Sequence, residues 1–541
     1  MEADFAPNPA AATARPIMAA TMTRAPTDRP ETPPARRAAC LLAALAVALP
    51  FVFPFTEAPN SNFWPLMASA ACAWLVALLA WSGALARRHL APCLAAGLLA
   101  AGLVGGAIGL AQYFLGDAGL SPWVRASSLG QAMGNLRQRN QQATLVSLAL
   151  WALLWWMARL QPWALAHPAR RLAPLLLAAA TPWALALLAA AGAATASRTG
   201  ALQWLLVVPA LLLMWRRGAG ALAPAVYAAG LAAYLLASWG LPLLLAQWTG
   251  VQAEGLFTRL AQGAHQACTS RVALWGNVLE LIAARPWTGW GWGELKYGHY
   301  ITPFEGLRFC VLLDNAHNLP LQLAVELGLP AALALVGGAL WAAWRARPWA
   351  ERDPARQLAW GVLALIAAHS LLEFPLWYGP FQLAAALAVA ALLPPLPAAW
   401  RGPLRAAGVA ALLLAPAAGL LLAQGYRPVA ALYRPAAERP ADLRTLDGRE
   451  VARRWPVFGG PALFAWLTTT PVDAANAAAV HEAAARLLHY SPEPRVIEKL
   501  IASARLLGRE DEAALHADRY RRAWPRDWAR FSRGLPASST P

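Results

Sequence analysis

LAPCLAAGLLAAGLVGGAIGLAQYF (90–114) follows Arg87 and Arg88 and carries no charged side chain over its whole length. A helix rises about 1.5 Å per residue, so about 20 consecutive apolar residues cross the hydrocarbon of a bilayer. The run reads as a membrane span with two arginines at one end. Ten further apolar runs lie near 38–55, 62–82, 141–158, 172–191, 199–215, 220–246, 319–344, 357–372, 376–394 and 404–423. Together they predict an all-α, polytopic membrane helix bundle of about 11 to 12 spans. Composition agrees, because 58% of the 541 residues are hydrophobic and only 13% are charged, against about a quarter charged in soluble domains.

Arginines set the expected orientation. They cluster at Arg87 and Arg88, at Arg159, Arg170 and Arg171, at Arg216 and Arg217, at Arg345, Arg347, Arg352 and Arg356, and at Arg401 and Arg405. Every second connection is thus basic, as the positive-inside rule requires of cytoplasmic loops when the N-terminus is cytoplasmic. The same spacing accounts for the net charge of +17 without nucleic acid, since no basic stripe with interleaved aromatics is present. Residues 1–37 are rich in Ala, Pro, Thr and Arg without an apolar period and read as a disordered cytoplasmic tail. The run that follows Arg36 and Arg37 lacks a small-residue cleavage site, so it reads as a first span rather than a removed signal. A transmembrane domain over 38–424 then carries one large loop, 247–318, on the non-cytoplasmic side. Residues 425–541 are more charged, and the 3.6-residue period predicts helices near 494–507 and 510–523. They read as a small helical domain on that same side, built of hairpins as in tetratricopeptide repeats but without a 34-residue self-repeat.

The polar residues of interest collect on this outer side. Arg139 and Asn140 precede the fourth span, Arg198 sits in Ser197–Gly200, and Arg259, His265, Arg271, Glu294, Lys296 and His299 lie in the large loop. A guanidinium binds phosphate oxygens through two parallel hydrogen bonds, so Arg139, Arg198 and Arg271 suit a lipid diphosphate. Singly, each suits a lipid head group equally well. LDNAHNLPLQLAVEL (313–327) runs a polar cluster straight into an apolar helix. His317 there has the chemistry of a general base near neutral pH, and it suits capping or packing just as well. Asp314, Asn315 and Asn318 stand ready either to orient its ring or to cap the helix. His369 and Glu373 fall at i and i+4 near the outer end of a span, where ionisable groups are either functional or paired with each other. Cys40, Cys72 and Cys93 lie in apolar runs, whereas Cys268 and Cys310 share the large loop and can pair if it is outside the cytoplasm. No Cys/His ligand spacing indicates a metal site, no cofactor is implied, and no Walker A loop supports ATP-driven transport.

Five segments carry a resemblance in their order: RQRNQQ (137–142), ASRTG (196–200), SRVALWGNVLELIAARPWTGWGWGE (270–294), DNAHNLPLQLAVELG (314–328) and HSLLEFPLWYGPF (369–381). With the tail segment YSPEPRVIEKLIASARLLGR (490–509), the chain resembles the bacterial O-antigen ligase superfamily over about residues 40–525. It is closest to the protein O-oligosaccharyltransferases, the pilin glycosylation ligases. The resemblance implies an inverting, metal-independent glycosyltransferase of the bacterial inner membrane with its site at the periplasmic face. It would move a glycan from undecaprenyl diphosphate to Ser/Thr hydroxyls of periplasmic proteins such as pilins. His317 matches the family's essential histidine, Arg198 and Arg271 match arginines associated with the donor diphosphate, and Arg139 and Asn140 match the polar motif before the fourth span. On this resemblance Cys268 and Cys310 would close a periplasmic loop bearing Arg271. Ligation of O-antigen to lipid A core, polymerisation of the glycan and, in a different class, transport of a lipid-linked glycan are the competing functions.

Overall fold

A computed structural model describes residues 34–166, 172–215, 222–261, 267–394 and 398–534. Among them the chain is helical, without strands. The first apolar helices are α1 (Pro34–Val52), α2 (Phe63–Trp81), α3 (Leu90–Leu115), α4 (Arg139–Ala166), α5 (Leu172–Ala194), α6 (Arg198–Trp215) and α7 (Leu222–Thr249). The large loop holds α8 (Leu256–Ala261), α9 (Arg271–Ala284) and α10 (Leu295–Ile301). After it come α11 (Leu319–Leu327), α12 (Leu329–Ala346), α13 (Pro354–Ser370), α14 (Gly379–Leu392) and α15 (Ala398–Leu432). Six short helices close the chain: α16 (Gly448–Arg454), α17 (Gly459–Thr469), α18 (Ala477–Leu487), α19 (Pro494–Leu506), α20 (Glu510–Ala523) and α21 (Pro525–Phe531).

Among the described residues, α1, α2, α3, α4, α7, α12 and α15 are long and apolar enough to cross a membrane, and α5, α6 and α14 contain shorter apolar stretches. The protein is a multi-pass membrane protein. Of the eleven expected spans, the run at 319–344 is corrected most: it is two helices that meet at Gly328. The expected tail is also shortened, because residues 34–37 already belong to α1; residues 1–33 lie outside the described residues, as do Arg170, Arg171, Arg216, Arg217 and His265. α15 runs 35 residues, straight through the expected domain boundary at 424.

α4 is the axis of the bundle. Most of it is buried, whereas α12 and α15 have almost wholly exposed apolar windows that face lipid. Small residues bring its neighbours close: a Cβ at Gly102 of α3 would lie 2.1 Å from the Ala149 side chain, the kind of backbone approach that packs helices in membranes. Indole N–H groups tie α4 to α13, Trp151 to the Leu358 carbonyl at 3.1 Å and Trp155 to the Pro354 carbonyl at 2.7 Å. In hydrocarbon these donors have no water to turn to, so each bond fixes a register.

The break at Gly328 positions the outer face. Gly328 has φ +83° and ψ 162°, a conformation open essentially to glycine alone. The tryptophan-rich turn 286–293 docks there through backbone bonds, Trp290 N–H to Val325 O (2.9 Å), Gly291 N–H to Glu326 O (3.0 Å) and Leu329 N–H to Pro286 O (2.8 Å). The approach leaves no room, since a Cβ on Gly328 would sit 2.3 Å from the Trp287 carbonyl. Gly328→Ala is therefore expected to destabilise by about 2–3 kcal/mol, from the backbone conformation plus overpacking. A drop in the thermal unfolding midpoint of the purified protein measures it; an unchanged midpoint would remove this account of the break.

The short helices α17–α21 share a core that includes Val480, Leu487, Ile497, Leu500 and Tyr520, whereas Val451 of α16 packs with Val429 and Ala462. Tyr300 of α10 is buried in the same core, and its hydroxyl bonds to His516 Nδ1 at 3.0 Å. His489 reaches Glu294 at 2.8 Å and stacks on Tyr297 at 4.0 Å. The C-terminal helices thus rest on the large loop.

Candidate functional site

Helices α4, α6 and α9 each begin with an arginine, Arg139, Arg198 and Arg271, and α11 begins two residues after His317. A helix N-terminus presents unpaired N–H groups and a partial positive charge, so an arginine there adds to an anion-attracting field. The starts of α4, α9 and α11 meet around one carboxylate, Glu373, and the start of α6 joins them through the Ser197–Asn140 hydrogen bond.

α13 ends at Ser370 because Pro375 lies just ahead and disfavours helix at the residue before it. Glu373 therefore leaves the helix. Its backbone N–H returns to the His369 carbonyl at 2.8 Å, and its side chain, 5% exposed, turns to other partners. Oε2 accepts from His317 Nδ1 at 2.7 Å and from Gln138 Nε2 at 3.3 Å. Oε1 accepts from Asn140 Nδ2 at 2.9 Å and from the Arg271 guanidinium. Burial by itself would push this carboxyl up. The His317 hydrogen bond and the charges of His317, Arg271 and His369 outweigh burial and hold it below the usual carboxylate range. Because the folded value is depressed, the pair contributes fully above the unfolded value of about 4.3 and is lost as pH falls through the lower folded value.

His317 is held from several sides. Its φ of +50° is left-handed, which non-glycine residues adopt only when their surroundings over-determine it. Asn315 Oδ1 accepts the His317 N–H at 2.8 Å, Gln322 Oε1 accepts the Ala316 N–H at 2.7 Å, and Trp275 Nε1 donates to the Ala316 carbonyl at 3.0 Å. Phe374 meets the imidazole edge-on at 5.1 Å. An ionised carboxylate only accepts, so Nδ1 carries a proton, and a neutral ring then has its lone pair on Nε2. Nε2 makes no hydrogen bond among the described residues, and the side chain is 28% exposed. The arrangement is a carboxylate–histidine pair with a free basic nitrogen.

The expected orienting groups divide. Asn318 caps α11 by accepting from the Leu321 N–H at 3.1 Å and donates to the Leu371 carbonyl at 3.1 Å. Asn315 fixes the His317 backbone rather than its ring. Asp314 is exposed and makes no hydrogen bond to the histidine. His369 and Glu373 side chains are not hydrogen-bonded to each other; His369 is fully buried and its Nδ1 contacts Thr144 Oγ1 at 2.9 Å. Asn140 joins the helices, since its Oδ1 accepts from Ser197 Oγ at 2.7 Å, and Ser197 Oγ accepts the Gly200 N–H at 3.1 Å.

Arg259 reads from the sequence only as a loop residue, yet the fold sets it with the arginines. Its guanidinium donates to the Ala196 carbonyl at 3.0 Å, beside the start of α6. Burial pulls its pKa down, and the nearby Arg139 and Arg198 charges pull it further. Arg198 likewise acts on Arg271. Arg198 is exposed, and neither it nor Arg139 makes a side-chain hydrogen bond or ion pair among the described residues. Four like charges are thus gathered with Glu373 and the distant Glu254, 4.0 Å from Arg259, as the carboxylates engaged. Such a cluster is suited to a multiply charged anion. Cys268 and Cys310 are joined by a disulfide, with Cα atoms 5.4 Å apart, just before α9.

Three family models match in chain order. Residues 132–157 match "Protein glycosylation ligase", 183–336 match "O-Antigen ligase", and 357–535 match "Virulence factor membrane-bound polymerase, C-terminal". The first segment holds Arg139 and Asn140, the second Arg198, Arg259, Arg271 and His317, and the third Glu373. The chain is a member of the O-antigen ligase superfamily. Within this superfamily it lies near the protein-glycosylating branch: it is similar to a general O-oligosaccharyltransferase of Acinetobacter baylyi (strain ATCC 33305 / BD413 / ADP1), 28% identical over 134 residues. That similarity covers 25% of this chain and 22% of the Acinetobacter protein. These matches point to a glycan-transferring enzyme: the segments that hold Arg139, Arg198, Arg259, Arg271 and His317 match ligase models, and the segment that holds Glu373 matches the polymerase one.

Proposed function

We propose that the chain is an O-linked oligosaccharyltransferase that moves a glycan from undecaprenyl diphosphate to Ser or Thr hydroxyls of periplasmic proteins, pilins among them. The observation that carries this reading is the His317–Glu373 pair, with Nε2 free, beside four arginines. His317 Nε2 takes the proton of the acceptor hydroxyl, and the oxygen forms a bond to the anomeric carbon. The bond from that carbon to the diphosphate breaks, and its electron pair leaves with the diphosphate. Arg139, Arg198, Arg259 and Arg271 stabilise the charge that builds there. The chemistry needs no metal because the guanidinium groups supply that stabilisation, and attack opposite the leaving group inverts the anomeric centre. The site would face the periplasm from the inner membrane, where the positive-inside pattern sets these helix starts.

The match of 357–535 to a membrane-bound polymerase favours a second reading, extension of the glycan itself. Mass spectrometry of periplasmic proteins from strains with and without the chain separates the two. Glycan-bearing Ser/Thr peptides that vanish with the chain are expected; glycans that merely shorten, with no glycopeptides in either strain, would favour polymerisation.

A further inference from the structure

The junction between the large loop and the C-terminal helices contains a cavity that the transfer chemistry does not use. Lys296, His299 and Tyr300 of α10 line one side, Arg308, Phe309, Val311 and Leu312 another, and Pro492, Ala523 and Trp524 the third. Two of its lining groups are cations and none is a carboxylate. Lysine is rare in this chain: all but two of the 45 basic residues are arginine, the exceptions being Lys296 and Lys499.

Arg308 donates to the carbonyls of Thr302 (3.2 Å) and His299 (2.5 Å), both neutral, and its Nε is buried without an acceptor. The Lys296 ammonium lies over the Tyr490 ring at 5.2 Å. Neither forms an ion pair among the described residues; Glu294, Glu326 and Asp314 act on Lys296 only through space. Burial lowers the Arg308 pKa to about 10, and the adjacent Arg519 charge adds to the effect. Burying the Arg308 guanidinium against neutral acceptors alone is costly, and a bound anion would offset that cost. The remaining wall, Phe309, Val311, Leu312, Pro492 and Trp524, is apolar, which suits an anion that carries a hydrophobic neighbour. A peptide carboxylate has that form. The 308–312 segment continues directly to Asp314 and His317, so a chain held here is held on the piece of backbone that presents the proposed base.

We infer that the open mouth of this cavity, itself only water-sized, is a carboxylate-binding subsite for the acceptor polypeptide, with Lys296 and Arg308 facing the carboxylate and the apolar rim flanking the adjoining side chain. The inference rests on the proposed protein acceptor. It is tested without transfer, by reductive ¹³C-methylation of the full-length protein in nanodiscs, which labels the two lysines and the N-terminus; Lys499→Arg assigns the signals. The probes are N-acetyl-Ala-Ser-Ala with a free carboxylate, the same peptide as its amide, and N-acetyl-Ala-Asp-Ala amide.

The Lys296 signal is expected to shift with a carboxylate-bearing peptide, to stay with the neutral one, and to lose the response in Arg308→Gln, while Lys499 stays still. A response to the first probe alone identifies a C-terminal carboxylate, and a response to the third identifies an acidic side chain. No shift with either, or an equal shift with the neutral peptide, overturns the subsite. In transfer assays Lys296→Gln, which leaves the arginine cluster and His317 intact, is expected to raise the acceptor KM about tenfold, the loss of one charge-assisted bond, at unchanged kcat. Transfer without carboxylate binding would discard the subsite alone, whereas carboxylate binding in a protein that transfers nothing to polypeptides would discard the function and with it the acceptor assignment.

Discussion

Glu373→Gln is expected to lower kcat for glycan transfer by roughly 10³–10⁴-fold while leaving the protein folded. The exchange is nearly isosteric, and the amide oxygen can still accept from Asn140 or Arg271, the partners of Oε1. The change falls on the other oxygen, which accepts from His317 Nδ1 at 2.7 Å. An amide NH₂ in that place is a donor, so the ring is driven to present a bare Nδ1 and to carry its proton on Nε2. The nitrogen facing the acceptor then holds a proton instead of a lone pair. In Ser-His-Asp triads, a carboxylate-to-amide exchange of this kind costs about 10⁴ in kcat through the wrong tautomer. Glu373→Asp restores a carboxylate at a shorter reach and should recover part of the rate. A Gln variant with kcat within tenfold of wild type would show that the carboxylate does not set the tautomer. Glu373→Ala is a poorer probe, since it strands Arg271, Asn140 and Gln138 as well and is expected to cost a few kcal/mol of stability.

Arg198→Ala should lower kcat/KM for the lipid-linked donor by roughly 10²–10³-fold, the usual effect of removing one donor from a charge-stabilising set. Arg198 is the cleanest arginine to remove. It is exposed and engages no side-chain partner among the described residues, so its loss should alter stability by no more than about 0.5 kcal/mol. Arg271 is different, because it also bonds Glu373 and its loss would disturb the histidine pair. Arg198→Lys keeps the charge but loses the two-pronged bond and should fall between Ala and wild type. An Ala variant that keeps donor kcat/KM and loses only acceptor affinity would move Arg198 from the diphosphate to the acceptor.

The sequence made the membrane architecture readable because an apolar run of 20 residues has few other uses. It also made the arginines readable, since Arg139, Arg198 and Arg271 stand beside runs on the side where the basic bias is absent. Contact in space was not readable. Glu373 and His317 are 56 residues apart, and a helical reading of HSLLEFP put Glu373 on one face with His369. Pro375 was the signal against that reading, because a helix does not run comfortably into the residue before a proline. Gly328 with Pro330 was a similar signal inside the expected 319–344 span. Arg259 had none, being one arginine in a loop, and only the fold sets it against the Ala196 carbonyl. The cationic cavity was hidden for the same reason, since it joins Lys296 and Arg308 to Pro492 and Trp524 across nearly 200 residues of chain.

The central claim is that His317, oriented by Glu373 beside the arginine cluster, is the base that transfers a lipid-diphosphate glycan to protein hydroxyls. The most direct measurement is intact-mass analysis of an acceptor pilin after incubation with the purified chain and an undecaprenyl-diphosphate glycan. The account predicts an added glycan mass on Ser or Thr with the wild-type chain, and at least a 10²-fold slower addition with His317→Ala. Addition at the wild-type rate by His317→Ala, or no addition by a folded wild-type chain that instead lengthens the lipid-linked glycan, would contradict it.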